Sequence, residues 1–129
     1  MEVAFLIGRI VVAIYYISAG LRHFTHLKMM APYAASKGVP AASVAVPFSG
    51  ALLVAGGALI GLGFYPAIGA ICILVFLLPT SVMMHNFWSV QDPMQKMGEM
   101  VNFTKNVGLM GYTLMILAIP QPWPFSVGR

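Results

Sequence analysis

Apolar residues fill four long stretches of the chain, and short polar segments separate these stretches. A helix crosses the hydrocarbon core of a bilayer in about 20 residues. Each stretch has about that length, so the pattern predicts transmembrane helices at 3–23, 44–63, 67–86 and 100–119. The Gly63-Phe64-Tyr65-Pro66 run predicts a tight turn between the second and third helices. The longer connections, 25–43 and 87–99, then lie at the same membrane face.

Composition indicates what these helices face. Of 129 residues, 60% are hydrophobic and only 8% are charged, whereas a soluble domain carries roughly 25% charged residues. Seven Lys or Arg and three Asp or Glu cannot cover the surface of a water-soluble globule. We therefore predict an all-α integral membrane protein, a four-helix transmembrane bundle that forms a single domain over 1–129, with the lipid bilayer as its main partner.

Charge and cysteine content exclude other classes. The net charge is +4, but the basic residues are scattered and flank the apolar runs, so no nucleic-acid partner is expected. Their distribution favours a cytoplasmic position for the two longer connections. The first helix lacks the basic n-region of a cleavable signal peptide, so we expect it to be retained. A single cysteine, Cys72, excludes an intrachain disulfide and a CxxC redox pair.

Glycines predict where helices approach closely. Gly57 and Gly61 are four residues apart on the second predicted helix, a spacing that lets a neighbouring backbone come near. Gly108 and Gly111 suggest the same on the fourth helix. We expect both pairs to serve helix packing within the bundle, with a homodimer face as the alternative.

Ionisable residues inside an apolar helix are costly in lipid, so each is a candidate for function. Arg9, Tyr16 and His23 are spaced by seven residues and share one stripe of the first helix. Arg9 has two interpretations. Its side chain either extends to the membrane interface, or it faces inward and contacts an anion or a quinone headgroup.

A dense polar cluster ends the first helix: Arg22, His23, His26 and Lys28. It could bind a lipid phosphate, an oxyanion or a quinone carbonyl, or it could form an interfacial belt. His23 and His26 have a spacing that permits metal binding, but no Cys or carboxylate lies near them in sequence, so no metal site is predicted.

A second polar group follows the third helix. His85 is placed to relay protons or to hydrogen-bond a quinone oxygen, and it is the tentative catalytic residue. The fourth helix carries a polar stripe that begins at Glu99, with helix-to-helix hydrogen bonding as its alternative role. The topology predicts one pocket where the helix ends converge, lined by Arg22, His23, His85, Asn102, Lys105 and Asn106.

Several short motifs occur in an order that resembles the DoxX family of small four-helix membrane proteins. They are Gly8-Arg9, Ser18-Ala19-Gly20-Leu21, Gly38-Val39-Pro40, Gly56-Gly57 with Gly63-Phe64, His85-Asn86-Phe87-Trp88, Asp92-Pro93 and Asn102-Phe103-Thr104-Lys105-Asn106. The resemblance covers roughly 5–119. Many family members carry an acidic residue before the double glycine, where this chain has the apolar run 51–55.

The resemblance implies a multi-pass protein of a bacterial or archaeal plasma membrane, linked to quinone-dependent oxidation of small sulfur species. The first hypothesis is therefore a quinone-linked oxidoreductase component, with Arg9, Arg22 and Lys105 orienting an anion or quinone. Quinone is the one cofactor considered, since no flavin, haem or metal motif is present. The alternatives are a non-catalytic assembly subunit of a larger complex, or a small transporter or lipid-binding protein. Whether the chain is an enzyme stays open, and either other subunits or further copies are expected as partners.

Overall fold

The computed structural model describes residues 1–128, and every regular element in that range is helical. Five α-helices and one short 3-10 turn follow each other along the chain. They are α1 (Glu2–Thr25), α2 (Leu27–Ser36), α3 (Ala42–Leu62), α4 (Pro66–Met84), the 3-10 turn (Phe87–Ser89) and α5 (Pro93–Leu117). The all-α prediction is confirmed.

The predicted count of four membrane-crossing helices is wrong. Among the described residues, three helical stretches are long and apolar enough to cross a bilayer: Glu2–Thr25, Ala42–Leu62 and Pro66–Ser89. The fourth long helix, α5, has 25 residues, but Lys96, Glu99 and Lys105 dilute its apolar character. An additional short helix, α2, occupies part of the connection predicted at 25–43.

The helix α5 begins at Pro93, seven residues before the predicted start at 100. A local cap explains the difference. The Asp92 carboxylate accepts a hydrogen bond from the Gln95 backbone N–H at 2.9 Å, and Pro93 occupies the first helical turn. An aspartate cap followed by proline is a strong helix start, so the polar first turns belong to the helix.

The helices α1 and α3 pack closely at glycine residues of α3. A Cβ atom added at Gly61 would lie 2.6 Å from Ala13 Cβ, and one at Gly57 would lie 3.1 Å from Tyr16 Cβ. Between helices in lipid, such close van der Waals packing replaces the hydrophobic effect as the driving force. The predicted close approach at Gly57 and Gly61 is confirmed.

The same prediction for Gly108 and Gly111 is wrong, because a Cβ added at either position meets nothing within 4 Å. The helix α5 buries its opposite face, which carries Asn106, Thr113 and Ile116. The glycines therefore lie on an outward surface of the described structure.

The helix ends fall into two groups. The start of α1, the ends of α3 and α5 and the start of α4 meet at one end of the bundle, where Arg9 contacts Gly61 and Pro124. We call this the arginine end. The end of α1, α2, the start of α3, the end of α4 and the start of α5 meet at the other, which we call the histidine end.

Candidate functional site

A cavity of about 510 Å³ lies at the histidine end, between the end of α1, α2, α3 and α4. Apolar side chains form most of its wall. They include Met30, Val39, Val46, Phe48, Leu52, Val75, Phe76, Pro79, Met83 and Met84. Its polar side chains are few: His23, Tyr33, Ser49, Thr80 and His85. A largely apolar cavity with a few polar groups is the usual form of a small-molecule site.

His23 is tied to α3 on one edge of its ring. Its Nδ1 lies 2.8 Å from Ser49 Oγ and 3.2 Å from the Val46 carbonyl oxygen. Ser49 Oγ donates in turn to the same carbonyl at 2.7 Å. The ring also lies edge-on to Phe76 of α4, with centroids 5.7 Å apart. Three helices therefore fix the position of this imidazole.

Close backbone contact brings His23 to that place. A Cβ added at Gly50 would lie 2.7 Å from His23 Cβ and 2.8 Å from the Gly20 carbonyl oxygen. With glycine at both positions, α1 and α3 come near enough for the His23 ring to reach Ser49. Gly20 and Gly50 therefore help to position His23 in the site.

His85 lines the same cavity and is held by α5. Its Nδ1 lies 2.7 Å from Glu99 Oε2, within hydrogen-bond distance. The two side chains are 22% and 11% exposed, so the carboxylate is more enclosed than the imidazole. His85 lines the cavity and Glu99 does not, which places Glu99 behind the histidine.

An aromatic cluster holds α5 against the end of α4. Phe87 and Trp88 of the 3-10 turn lie edge-on to Phe103, with ring centroids 5.4 and 5.7 Å apart. Edge-to-face pairs at these distances are favourable. They fix the level at which Glu99 meets His85.

Arg9 belongs to the arginine end and has a different environment. It is 3% exposed, so the surrounding protein encloses its side chain. The guanidinium donates to three carbonyl oxygens, those of Pro124 at 2.6 Å, Gly61 at 3.1 Å and Phe125 at 3.3 Å. It also lies 5.7 Å from the ring centroids of Phe5 and Trp123.

These contacts join the segment after α5 to the end of α3. The Val127 backbone N–H adds a hydrogen bond to the Leu62 carbonyl at 2.9 Å. Gly63 has a left-handed φ of 67°, and its Cα faces the guanidinium closely enough that a Cβ would lie 3.2 Å from an Arg9 nitrogen. Arg9 is thus an inward-facing structural clamp rather than a free cation.

The structure brings together only part of the predicted pocket. His23 and His85 share one cavity. Arg9 lies fourteen residues before His23 on α1, about 21 Å along the helix axis, and so is remote from it. Arg22 is exposed beside His23 and does not line the cavity.

The predicted residues of α5 also lie outside the cavity. Lys105 is exposed, Asn102 is half-buried and Asn106 is buried. The helix α5 packs on α4, and it reaches the site only through the contact of Glu99 with His85. Glu99 binds His85 and Asp92 caps α5, so these two acidic residues already have other partners than Lys105.

Sequence reasoning missed Ser49, Thr80 and the contribution of α2. Ser49 is a hydroxyl within an apolar helix, which is a usable signal, but its pairing with a residue 26 positions earlier is not readable from spacing. Met30 and Tyr33 enter the wall because residues 27–36 form a helix where a connection was predicted.

With three membrane-length apolar helices and no strand among residues 1–128, the chain is an all-α, multi-pass integral membrane protein. The family model described as DoxX matches residues 4–86, so the chain belongs to the DoxX family and the resemblance found in the sequence is confirmed. It is also similar to the inner membrane protein YphA of Escherichia coli (strain K12), at 31% identity over 128 residues. That alignment covers 98% of this chain and 89% of YphA. No solved structure matches the chain.

The family match covers the cavity in full. Every lining residue lies between His23 and His85, within the matched range 4–86. Glu99, which holds His85, lies beyond that range.

Proposed function

We propose that this chain is a component of a quinone-linked membrane oxidoreductase and that the cavity at the histidine end binds the quinone headgroup. One observation carries the proposal. Two imidazoles, each anchored through Nδ1, line a largely apolar cavity within apolar helices of membrane-spanning length. Such a cavity fits a small ring that carries two polar groups and an apolar substituent.

The position of the cavity favours a ligand that arrives from the bilayer. Phe48 and Tyr33 line it and are themselves exposed, at 61% and 49%. A volume of about 510 Å³ falls within the range of sites that enclose a drug-sized molecule. An isoprenoid quinone has a headgroup of smaller size and a tail that can remain in lipid.

The His85–Glu99 pair supports a role in proton handling. Conversion of a quinone to a quinol takes up two electrons and two protons, and an imidazole is the side chain best suited to exchange protons near neutral pH. His85 contacts the cavity, while Glu99 behind it can accept or return a proton. His85 is therefore the proposed proton donor or acceptor.

The electron donor we propose is a small sulfur-type anion, acting directly or through a partner subunit, and its support is the DoxX family resemblance. Oxidation of the donor releases the two electrons that the quinone takes up. Arg9 is not proposed to bind this anion, because its two terminal nitrogens donate to backbone carbonyls and it does not line the cavity. Arg22, exposed beside His23, is the proposed anion contact. The relative named as an inner membrane protein supports a bacterial plasma-membrane location.

A non-catalytic assembly subunit is the second candidate, and the outer face of α5 favours it. Lys105 is exposed near the middle of α5, and Gly108 and Gly111 beside it leave open space. An exposed lysine on a helix packed against membrane-spanning α4 is costly unless it reaches the interface or meets a partner. A partner subunit or a second copy would fit there.

Native mass spectrometry of the full chain, extracted from its own membrane in mild detergent, tests both candidates. The proposal expects an adduct of quinone mass that is lost in Met83→Trp, which fills the cavity, and kept in Val82→Trp. Val82 is the matched control, since it is 56% exposed on the same helix and does not line the cavity. A fixed hetero-complex with no small-molecule adduct on this chain would instead support the assembly role.

A further inference from the structure

The hydrogen-bond partners of His23 determine which ring nitrogen carries its proton. The Val46 carbonyl oxygen can only accept, and Ser49 Oγ has already directed its own proton to that carbonyl. Both atoms that face His23 Nδ1 therefore need a donor. Nδ1 must carry the proton, and in a neutral imidazole Nε2 then holds a lone pair.

Nothing in residues 1–128 uses that lone pair. His23 makes hydrogen bonds through Nδ1 alone, and no carboxylate contacts the ring to stabilise a second proton. Nε2 is not among the enclosed polar atoms of the described structure, which is consistent with its opening to the cavity that His23 lines. The cavity thus presents a fixed acceptor at this wall.

His85, which lines the same cavity, is compatible with that fixed acceptor. Glu99, as a carboxylate, can only accept, so His85 Nδ1 donates to it. His85 Nε2 is then an acceptor when the ring is neutral and becomes a donor only when the ring takes up a proton. A ligand hydroxyl can meet either form of His85, because it both donates and accepts, whereas the His23 lone pair requires a donor.

We infer that the cavity selects the reduced, dihydroxy form of its aromatic ligand over the oxidised, dicarbonyl form. This inference rests on the proposed function and deepens it by assigning the redox form that binds. A quinol hydroxyl donates to the His23 lone pair, and the second hydroxyl faces His85. A quinone carbonyl brought to the same place would oppose one acceptor with another and remain unpaired. An unpaired polar group in a water-poor site is strongly disfavoured.

Ser49 is the positioning residue in this scheme, because it fixes the His23 tautomer without itself being the acceptor used by the ligand. Ser49→Ala removes one of the two groups that require a proton on Nδ1, whereas Ser49→Thr keeps the hydroxyl. The selectivity between redox forms should therefore fall in the alanine variant and return in the threonine variant.

Equilibrium binding to the full chain in lipid nanodiscs under anaerobic conditions tests the inference. The probes are a ubiquinol with one isoprene unit, the matching ubiquinone, and the dimethyl ether of the quinol, which keeps the shape and lacks both donors. We expect the quinol to bind about tenfold more tightly than either of the other two, as one unpaired buried group implies. His23→Phe should reduce this ratio to about one.

The outcomes separate the two proposals. If quinone and dimethyl ether bind as tightly as the quinol, the inferred selectivity is wrong and a quinone site stands. If none of the three binds, the proposed function itself fails. The tautomer has an independent readout in the ¹⁵N spectrum of ring-labelled chain, which has only three histidines. Signals of His23 with a protonated Nε2 and a bare Nδ1 would overturn the inference whatever the affinities are.

Discussion

The two ends of the bundle treat their buried polar side chains in opposite ways. At the arginine end, the Arg9 guanidinium donates to three backbone carbonyls and lies against two aromatic rings. At the histidine end, His23 and His85 each use one ring nitrogen for an anchor and present the other edge to a cavity of about 510 Å³.

This contrast separates a structural polar residue from a binding one. Both kinds look alike in sequence, since each is a costly group within an apolar helix. A side chain such as Arg9, which donates to backbone carbonyls and does not itself line a cavity, stabilises the fold. A side chain that is anchored through one polar atom, and that lines a cavity with its other polar atom unbonded, is a candidate for ligand binding. The predictions below test this distinction, from the largest expected effect to the smallest.

Replacement of Arg9 should give the largest loss of stability. Arg9→Leu leaves the carbonyls of Gly61, Pro124 and Phe125 without their donor, and a charged hydrogen bond contributes about 1.5–3 kcal/mol. We expect a loss of about 3 kcal/mol in the free energy of unfolding, measured by denaturant titration in mixed micelles. Quinol affinity of the folded fraction should not change.

The matched control is Arg22→Leu, which removes an exposed arginine from the same helix and should alter stability by less than about 0.5 kcal/mol. Equal losses in the two variants would contradict the clamp assigned to Arg9.

Gly50→Ala should affect the histidine end through its backbone. The new Cβ would lie 2.7 Å from His23 Cβ and 2.8 Å from the Gly20 carbonyl oxygen, so α1 and α3 must separate. We expect a loss of about 2 kcal/mol in stability, as overpacking costs about 1–3 kcal/mol, together with weaker quinol binding. Unfolding and binding measured on one preparation check both effects, and unchanged quinol affinity would show that the His23 position does not depend on this contact.

Glu99→Gln should weaken the ligand site more than the fold. The amide keeps the shape of the side chain but removes the charge that holds His85 Nδ1 at 2.7 Å. We expect about a tenfold loss of quinol affinity, equivalent to about 1.4 kcal/mol, with a smaller change in unfolding. The control is Glu2→Gln, which changes an exposed residue at the start of α1, at the arginine end. A change of affinity in Glu2→Gln as large as in Glu99→Gln would remove the case for a local role.

Gly108→Ala should give the smallest change in stability, and the change should be a gain rather than a loss. No atom lies within 4 Å of the new Cβ, and alanine favours a helix over glycine by up to about 1 kcal/mol. In the isolated chain we therefore expect a slight gain in thermal stability. A marked loss would mean that a second copy or a partner packs on this face of α5.

The sequence predicts the membrane class and three of the helices well because long apolar runs have one physical solution in lipid. It misplaces the start of α5, where a local Asp92 cap extends a helix into polar residues. It also assigns Gly108 the packing role that Gly57 and Gly61 have, although nothing lies within 4 Å of a Cβ added at Gly108. Glycine content shows that a close approach is permitted, but only the arrangement of the helices decides whether a neighbour is present.

Only some residues of the candidate site could be predicted from the sequence, for a related reason. His23 and His85 stand out as polar residues at helix ends, and the topology brings those ends together. Arg9 stands out equally but belongs to the other end, and its carbonyl partners 52 and more positions away leave no local signal. Ser49 and the α2 wall depend on tertiary contacts alone.

Photolabelling with an azidoquinone tests the central claim most directly, because it locates the ligand without assuming its affinity. The full chain in nanodiscs is irradiated with the probe, and the modified peptides are mapped by mass spectrometry with and without excess quinol. The account predicts labels on α3 and α4 at cavity residues such as Phe48 and Met83, and loss of these labels when quinol competes. Labels confined to the outer face of α5, or labels at the cavity that quinol does not displace, would contradict it.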